Sequence, residues 1–240
     1  MSLVKIPFLL SAAFANHVAM TPPTPPPPKD EIAKDVAPGE RIFSKTVRVL
    51  PSFAKLFVWI ASLSEVAIIL ANEYPAHPMS AKVARLLTWG STQSLTRIGI
   101  TPTYVVGWTL AILGGLTRWQ CYQTLGRLFT YEITLRKGHQ LVTEGPYSVV
   151  RHPSYTAGAL LISGICVCLG ATGSWVQASG VLSTGWGRVV ACGWVAWNVF
   201  LAVNLLLRPA QEDRMLRKQF GAEWDKWAAK VPYRLFPGIY

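Results

Sequence analysis

The chain has 240 residues, of which 51% are hydrophobic and only 15% are charged, whereas a soluble domain usually carries about a quarter charged residues. Long stretches contain no charge at all, which argues against a soluble globular protein and for segments that cross a lipid bilayer. The formal net charge is +11, but the basic residues lie at the ends of apolar runs, where anionic lipid headgroups account for them. We therefore expect the bilayer as a partner, and no nucleic acid.

Five segments are apolar and about as long as the ~20 residues that a helix needs to cross the hydrocarbon core. In chain order they are residues 3–20, 54–72, 101–121, 155–173 and 187–207. The first is ambiguous, because Lys5, the apolar run and the small residues around position 14 are typical of a cleaved signal peptide as well as of a short first span. The sequence thus predicts an all-α integral membrane protein with about five transmembrane helices.

The basic residues between these segments predict the orientation of the spans. Residues 21–53 carry five Lys or Arg, residues 122–153 four and residues 208–240 seven, against three in 73–99 and none in 174–186. By the positive-inside rule, five spans with the N-terminus outside place the three most basic segments in the cytosol. A cleaved signal peptide would place the first of them on the other side, so the charge pattern favours a span.

The proline-rich run at residues 21–28 predicts a stiff polyproline II linker; a ligand for a proline-recognition module is the alternative. We divide the chain into an N-terminal transmembrane region, residues 1–124, which includes this linker, and a second region, residues 125–240, in which we expect the functional site. The division follows the polar motifs, because those that can carry chemistry all lie in the second region.

The four cysteines lie in or beside apolar runs, without a Cys-x-x-Cys pair or a Cys/His spacing typical of zinc. Their spacing predicts neither a metal site nor a disulfide framework, and we interpret them as small buried hydrophobic side chains. They are Cys121, Cys166, Cys168 and Cys192.

The first polar motif surrounds the start of the fourth predicted span. Residues 145–146 predict a turn, and residues 153–154 predict a helix start, since proline is tolerated in the first turn and serine can cap it. Free N–H groups at a helix N-terminus suit an anionic ligand group. Arg151, His152 and Tyr155 crowd this helix start, and two more such side chains bring the set to five within about seventeen residues, so we interpret the region as a binding site rather than only a capped helix. The five are His139, Tyr147, Arg151, His152 and Tyr155.

The second polar motif follows the fifth predicted span. Arg208 ends that span and Glu212 lies four residues on, so both would share a helical face with Asn204 if the helix continued. Pro209 lacks a backbone donor and disfavours helical geometry at the preceding residue, so we expect a kink or a restart there. A broken helix at the membrane surface frees backbone groups that can line a cavity.

These motifs occur in a specific order along residues 125–240. A His-x-Leu-Val-Thr-x-Gly-x-Tyr stretch at 139–147 precedes Arg-His-Pro-Ser-Tyr at 151–155, an apolar hairpin, and an arginine four residues before the acidic pair 212–213. The arrangement resembles the C-terminal half of the isoprenylcysteine carboxyl methyltransferase family. It departs from the family in having Glu-Asp instead of Glu-Glu as the acidic pair, and one additional residue before Gly158.

The resemblance implies a methyltransferase that uses S-adenosylmethionine to methylate the C-terminal carboxylate of prenylated cysteine in membrane-bound proteins. It implies an endoplasmic reticulum location and a cytosolic cofactor site, built from the N-terminus of the fourth span and the C-terminal segment. Arg208 and Glu212 would be the catalytic residues, with Arg208 holding the substrate carboxylate. Glu132 lies where the family usually has an amide. The implied cofactor contacts are Glu132, His139, Gln140, Leu141, Val142, Tyr147, His152, Pro153, Ser154, Tyr155 and Glu212.

Three alternatives stay open from the sequence. The broader superfamily includes enzymes that methylate the nitrogen or sulfur of phospholipids or small molecules, for which an arginine clamp has no use. Membrane sterol reductases have a similar C-terminus, but they are much longer and would use NADPH. A non-enzymatic membrane adaptor would use the proline-rich run instead. The sequence indicates neither the oligomeric state nor the preferred prenyl length.

Overall fold

The computed structural model describes residues 3–28, 49–90, 92–132, 134 and 138–239, and the regular elements among them are helical. The α-helices are α1 (Lys5–Ala19), α2 (Leu50–Glu73), α3 (Ser80–Leu86), α4 (Pro102–Leu125), α5 (Pro153–Gly170), α6 (Trp175–Ala178), α7 (Gly185–Phe220) and α8 (Ala222–Lys230). Short 3₁₀ helices occupy Thr92–Arg97, Gly126–Leu128, Gly145–Ser148 and Val181–Ser183. The predicted all-α class is therefore confirmed for the described residues.

Of the described helical stretches, three are long and apolar enough to cross a membrane, as expected of an integral membrane protein. They are Pro51–Glu73, Pro153–Ala178 and Gly185–Phe220, which correspond to the second, fourth and fifth predicted spans. The first predicted span forms α1, with 15 residues, and the third forms most of α4, with 24 residues. The count of five spans and their orientation stay predictions, and so does the choice between span and signal peptide for residues 3–20.

The helix boundaries follow capping signals in the sequence. Helices α4 and α5 begin at Pro102 and Pro153, where proline's missing N–H costs nothing. The hydroxyl of Thr101 accepts a hydrogen bond from the N–H of Tyr104 at 3.3 Å and so caps α4. Gly221 separates α7 from α8 with a φ of 54°, a conformation that glycine adopts at least cost.

Of the kink or restart expected at Pro209, the restart is wrong, because α7 runs unbroken through this residue, and the kink stays a prediction. Proline removes a single N–H donor from a helix of 36 residues, and membrane helices tolerate that loss when neighbouring groups satisfy the freed carbonyl. At about 1.5 Å per residue, α7 is about 54 Å long and exceeds the hydrocarbon core of about 30 Å. Arg208 and Glu212 therefore lie one turn apart on one helix.

The chain forms two compact units, each assembled from three segments. Unit 1 comprises Met1–His17, Ala54–Leu113 and Leu160–Val199, and unit 2 comprises Val18–Phe53, Gly114–Ala159 and Phe200–Tyr240. All of the residues predicted to form the site belong to unit 2. The proposed division of the chain between residues 124 and 125 stays a prediction.

Within unit 1, the backbones of α4 and α5 lie close together. A Cβ atom at Gly164 would be 2.4 Å from the nitrogen of Ala111 and 2.5 Å from the oxygen of Gly107. A side chain at Gly164 would therefore force the two helices apart. Small residues at such contacts are typical of membrane helices, which gain their association from close packing.

Unit 1 also contains a buried ion pair. Lys5 is fully buried and Glu65 is 5% exposed, and the ammonium lies 2.5 Å from a carboxylate oxygen. Lys5 also donates to the carbonyl of Gly173 at 2.9 Å, while the N–H of Trp175 donates to Glu65 at 2.9 Å. The ammonium lies 4.1 Å from the ring centroid of Tyr104, so each charge has several partners that compensate for its burial.

The prediction that the cysteines are buried is wrong for Cys192. Cys121 and Cys168 are buried and Cys166 is half-buried, but Cys192 is exposed on α7. Apolar residues of a membrane helix can face lipid instead of protein, so an apolar run does not by itself predict burial within the chain.

Candidate functional site

The centre of the polar cluster in unit 2 is Asp213, which is 4% exposed. Its Oδ1 accepts a hydrogen bond from Nε2 of His152 at 2.8 Å. Its Oδ2 accepts from Nη2 of Arg151 at 3.2 Å and from Nε of Arg234 at 2.8 Å. One buried carboxylate thus joins α7, the residues before α5 and the C-terminal segment.

Backbone hydrogen bonds fix the C-terminal segment against the start of α5. The guanidinium of Arg151 donates to the carbonyls of Val231 and Pro232 at 3.0 and 2.9 Å. The N–H groups of Arg151 and His152 donate to the carbonyls of Tyr233 and Arg234 at 3.0 and 2.9 Å. The two segments predicted to share the site are therefore in direct contact.

Glu212 contacts the same histidine from the other side. Nδ1 of His152 lies 3.2 Å from Oε2 of Glu212, and the hydroxyl of Tyr155 donates to Oε1. The Glu212 side chain is 23% exposed, against 5% for that of Asp213. Asp213 is therefore enclosed within the protein, whereas the Glu212 side chain is partly exposed.

Both ring nitrogens of His152 face carboxylates, which favours the imidazolium form. Burial alone would lower the pKa of His152, but the hydrogen bonds to Asp213 and Glu212 outweigh burial and raise the pKa above its usual value. The two carboxylates on α7 thus stabilise the protonated form of the buried His152.

Arg208 lies one turn before Glu212 and is 4% exposed. Its Nη2 donates to the carbonyl of Tyr131 at 2.6 Å, and its guanidinium lies 5.6 Å from the ring centroid of Tyr155. As the sequence predicted for a continuous helix, Asn204 lies a turn earlier on α7; its side chain donates to the carbonyl of Phe200 at 2.8 Å. A cation and a carboxylate thus flank Tyr155.

Two further predicted residues come from the loop before α5. Tyr147 is buried, and its carbonyl accepts from Nε1 of Trp227 at 3.3 Å. The ring of His139 lies 5.9 Å from that of Phe220. The buried Nδ1 of His139 has no hydrogen-bond partner among the described residues. Burial lowers the pKa of His139, against the opposing effect of Glu212, so the imidazole is neutral at pH 7 and one nitrogen can accept.

For the remaining predicted residues, the contacts and burial described below involve groups other than Glu212. Glu132 is buried, and its backbone carbonyl accepts from the hydroxyl of Thr130 at 2.7 Å. Gln140 is exposed, while Leu141 and Val142 are half-buried. The geometry brings together the side chains of His152, Tyr155, Arg208 and Glu212, with His139 within electrostatic range. Pro153 starts α5, and Ser154 accepts a hydrogen bond from Arg118.

Sequence reasoning missed two residues that organise unit 2. Asp213 was treated only as the second member of an acidic pair, although it pairs with Arg151, His152 and Arg234. Arg118 donates to both the carbonyl and the hydroxyl of Ser154 at 2.9 Å. The available signal was its charge within the apolar stretch 101–121, because an ionisable residue in a membrane segment usually has a specific partner.

The arrangement of His, Cys, Asp and Glu side chains bears on metal binding. Among the described residues, no group of three or more of them is placed to hold a metal ion. The cluster around Glu212 combines this carboxylate with His152, the phenol of Tyr155 and the guanidinium of Arg208, which suits an organic ligand that carries charge.

Comparisons with known proteins agree with the motifs. The model of the isoprenylcysteine carboxyl methyltransferase (ICMT) family matches residues 106–179. Protein-S-isoprenylcysteine O-methyltransferase B from Arabidopsis thaliana is 34% identical over 128 residues, which are 52% of this chain and 55% of that protein. A probable protein-S-isoprenylcysteine O-methyltransferase from Oryza sativa subsp. japonica is also 34% identical over 128 residues, 52% of this chain and 57% of that protein.

A weaker similarity links the chain to sterol reductases. Delta(14)-sterol reductase from Ascobolus immersus is 27% identical over 109 residues, which are 45% of this chain but only 21% of that protein. The chain spans about half the length of the methyltransferases that it matches at 34% identity. The resemblance of this chain to the isoprenylcysteine carboxyl methyltransferase family, first read from its motifs, is thereby confirmed.

Proposed function

We propose that the protein is a methyltransferase that uses S-adenosylmethionine to methylate the C-terminal carboxylate of prenylated cysteine in membrane-bound proteins. The family match and the names of the plant relatives support this proposal. The observation that carries it is structural: α7 presents a buried arginine and a partly exposed glutamate one turn apart, on either side of Tyr155. Such a pair can hold a carboxylate and an ammonium group next to each other.

The residues around Glu212 fit S-adenosylmethionine. The ammonium group of this cofactor requires an anionic acceptor, and Glu212 is an acid whose side chain is partly exposed. The buried Nδ1 of His139, without a partner among the described residues, offers a further polar contact. Glu212, His139 and Tyr155 would therefore hold the cofactor, with Tyr147 and His152 fixing their surroundings. When bound, the cofactor supplies an electrophilic methyl group.

The reaction makes modest demands on the protein's acid–base groups. A substrate carboxylate is ionised at neutral pH, so it attacks without a strong general base. The protein must instead place the carboxylate, align it and exclude water. Arg208 would provide two parallel N–H donors that match the carboxylate geometry. Its Nη2 is engaged with the carbonyl of Tyr131, which would hold the guanidinium in a fixed orientation.

Replacement of Arg208 tests the substrate assignment. We expect Arg208→Lys to lower methyl transfer to N-acetyl-farnesylcysteine about tenfold or more, and Arg208→Ala to lower it further. One charge-assisted hydrogen bond is worth about 1.5–3 kcal/mol, and lysine cannot reproduce the fork. The assay is transfer from labelled S-adenosylmethionine in membranes, normalised to folded protein. Arg214→Lys is the matched control, because Arg214 is exposed on the same helix.

Phosphatidylethanolamine is offered in parallel in that assay. Transfer to the phospholipid, with none to the prenylcysteine, would contradict the substrate while leaving a methyltransferase. If Arg208→Ala instead methylated the prenylcysteine at the wild-type rate, the proposal that Arg208 holds the substrate carboxylate would be wrong.

Replacement of Glu212 tests the cofactor assignment. Glu212→Gln keeps the size of the side chain but removes its charge, so we expect the affinity for S-adenosylmethionine to fall by about 1.5–3 kcal/mol, the range for hydrogen bonds to charged groups. Calorimetric titration of the purified protein measures this change. Glu223→Gln, at an exposed acid of α8, should leave the affinity unaltered. Equal affinities for the wild type and Glu212→Gln would remove Glu212 from the cofactor site.

The similarity to sterol reductases motivates one rival function. A reductase would bind NADPH, whereas the proposed methyltransferase binds S-adenosylmethionine, so titration of the wild-type protein with both compounds separates the two functions.

We further propose that the protein lies in the endoplasmic reticulum membrane and that its site faces the cytosol. This orientation is supported by the basic residues 208–240 and by the family resemblance.

A further inference from the structure

Arg118, near the C-terminal end of α4, gathers an unusual number of hydrogen bonds in unit 2. Its Nε donates to the carbonyl of Ala19 at 2.8 Å and to the hydroxyl of Tyr122 at 3.0 Å. Its Nη1 donates to the hydroxyl and to the carbonyl of Ser154, both at 2.9 Å. The guanidinium also lies 5.3 Å from the ring centroid of Tyr131. A single side chain thus joins three separate segments of the chain.

One set of these contacts leads to Glu212. Ser154 is in the first turn of α5, and both of its oxygens accept from Arg118. The next residue, Tyr155, donates its hydroxyl to Glu212. Fixing Ser154 therefore fixes the start of α5, and with it the phenol that contacts the carboxylate.

A second set leads to Arg208. The hydroxyl of Tyr131 lies 3.1 Å from that of Tyr122 and donates to the carbonyl of Ala19 at 3.0 Å. The hydroxyl of Tyr122 and the carbonyl of Ala19 also accept hydrogen bonds from Arg118. The carbonyl of Tyr131 accepts from Arg208 at 2.6 Å. The residue that orients Arg208 is therefore itself held in the cluster around Arg118.

We propose that Arg118 is a positioning residue, which sets the distance between the Tyr155–Glu212 pair and the Arg208 guanidinium through Ser154 and Tyr131. The proposal rests on the proposed function, in which these two groups hold the cofactor and the substrate carboxylate. Arg118 acts through its neighbours, and its planar fork is essential to the role because Nε and Nη1 each serve a different set of acceptors. Lysine presents one point charge and cannot serve both sets in the same geometry.

The alternative is that Arg118 only stabilises the fold. A stabilising residue would change the amount of folded protein but not the properties of each folded molecule. A positioning residue would change the affinity of folded molecules for both ligands. Arg118→Lys is the informative variant, because it keeps the buried charge and so limits the loss of folded protein.

The experiment measures the dissociation constant for S-adenosylmethionine by calorimetry, and KM and kcat for N-acetyl-farnesylcysteine, on detergent-purified variants. We expect Arg118→Lys to raise both the dissociation constant and KM about tenfold, in line with the loss of a hydrogen bond to a charged donor. Tyr131→Phe should raise KM alone, because it removes the hydroxyl contacts that fix Tyr131, and the carbonyl of Tyr131 orients Arg208. Arg188→Lys, at an exposed position of α7, is the control and should change neither constant.

A double-mutant cycle separates action through Ser154 from independent effects. If Arg118 acts through Ser154, then Arg118→Lys combined with Ser154→Ala should raise the dissociation constant by less than the product of the single effects. Strictly multiplicative effects, or unchanged constants for folded Arg118→Lys protein, would overturn the positioning role while the proposed function stands. A wild type that neither binds S-adenosylmethionine nor methylates the prenylcysteine would overturn both. If the protein binds S-adenosylmethionine but methylates another acceptor, the substrate assignment is wrong, and so is the proposal that Arg118 positions Arg208 for the substrate. The dissociation constants for S-adenosylmethionine would then still decide whether Arg118 positions the Tyr155–Glu212 pair through Ser154.

Discussion

Replacement of Lys5 by methionine is expected to destabilise unit 1 by about 3–5 kcal/mol, the cost of leaving one member of a buried ion pair without its partner. Lys5 is fully buried and lies 2.5 Å from Glu65. Methionine fills similar space, so the lost charge and hydrogen bond to Gly173, rather than a cavity, account for the effect. The free energy of unfolding in detergent, from denaturant titration followed by tryptophan fluorescence, measures it.

The double variant Lys5→Met with Glu65→Gln should be more stable than Lys5→Met alone, because it removes the uncompensated carboxylate. Glutamine can still accept the N–H of Trp175, which donates to Glu65 at 2.9 Å. Lys82→Met, at an exposed position of α3, controls for the general effect of removing a lysine and should leave stability unaltered. A single Lys5→Met variant as stable as this control would show that the ion pair contributes nothing.

The sequence predicts in outline that residues 151–155 and the acidic pair 212–213 form one site. Pro153 indicated a helix start, and the motif resemblance indicated that residues 151–155 and the acidic pair belong together. The structure places His152 against both carboxylates of that pair. The helix start depends on residues near each other in the chain, so periodicity and capping rules find it; the pairing across the hairpin was implied by the resemblance alone.

The different roles of Glu212 and Asp213 could not be predicted in the same way. Neighbouring residues on a helix point in directions that differ by about 100°, and the sequence does not say which of them faces the buried cations. In the structure, Asp213 forms ion pairs with Arg151 and Arg234, whereas the Glu212 side chain is partly exposed. The continuity of α7 through Pro209 was missed for a related reason, because packing in the folded protein overrode a local preference.

Contacts between distant segments escaped sequence reasoning altogether. Arg118 and Ala19 are 99 positions apart, and Lys5 and Gly173 are 168 apart. No periodicity links such residues, and each looked like an isolated charge in or beside an apolar run. Their partners are also unremarkable in sequence, since several are backbone carbonyls that every residue carries.

The variant Asp213→Asn is expected to have the largest effect within unit 2. Asp213 is 4% exposed and accepts from Arg151, His152 and Arg234. An asparagine would leave these cations without their shared anion, at a cost of about 3–5 kcal/mol. Asp225→Asn is the matched control, because Asp225 is exposed and pairs at 2.8 Å with an exposed arginine, Arg217. Such surface pairs contribute at most about 1 kcal/mol.

The pH dependence of stability gives a second readout of Asp213→Asn, which distinguishes the loss of the ion pairs from a general packing defect. The folded-state pKa of His152 is raised, after burial has been outweighed by the hydrogen bonds to Asp213 and Glu212. The resulting stabilisation is fully present below the unfolded pKa of about 6.5 and is lost as the pH rises through the raised folded value. In the wild type, unfolding free energy should therefore fall as the pH rises above about 6.5. In Asp213→Asn this fall should be smaller, because one of the two carboxylates that hold the imidazolium is gone. Parallel pH profiles for the two proteins would show that Asp213 does not stabilise charged His152.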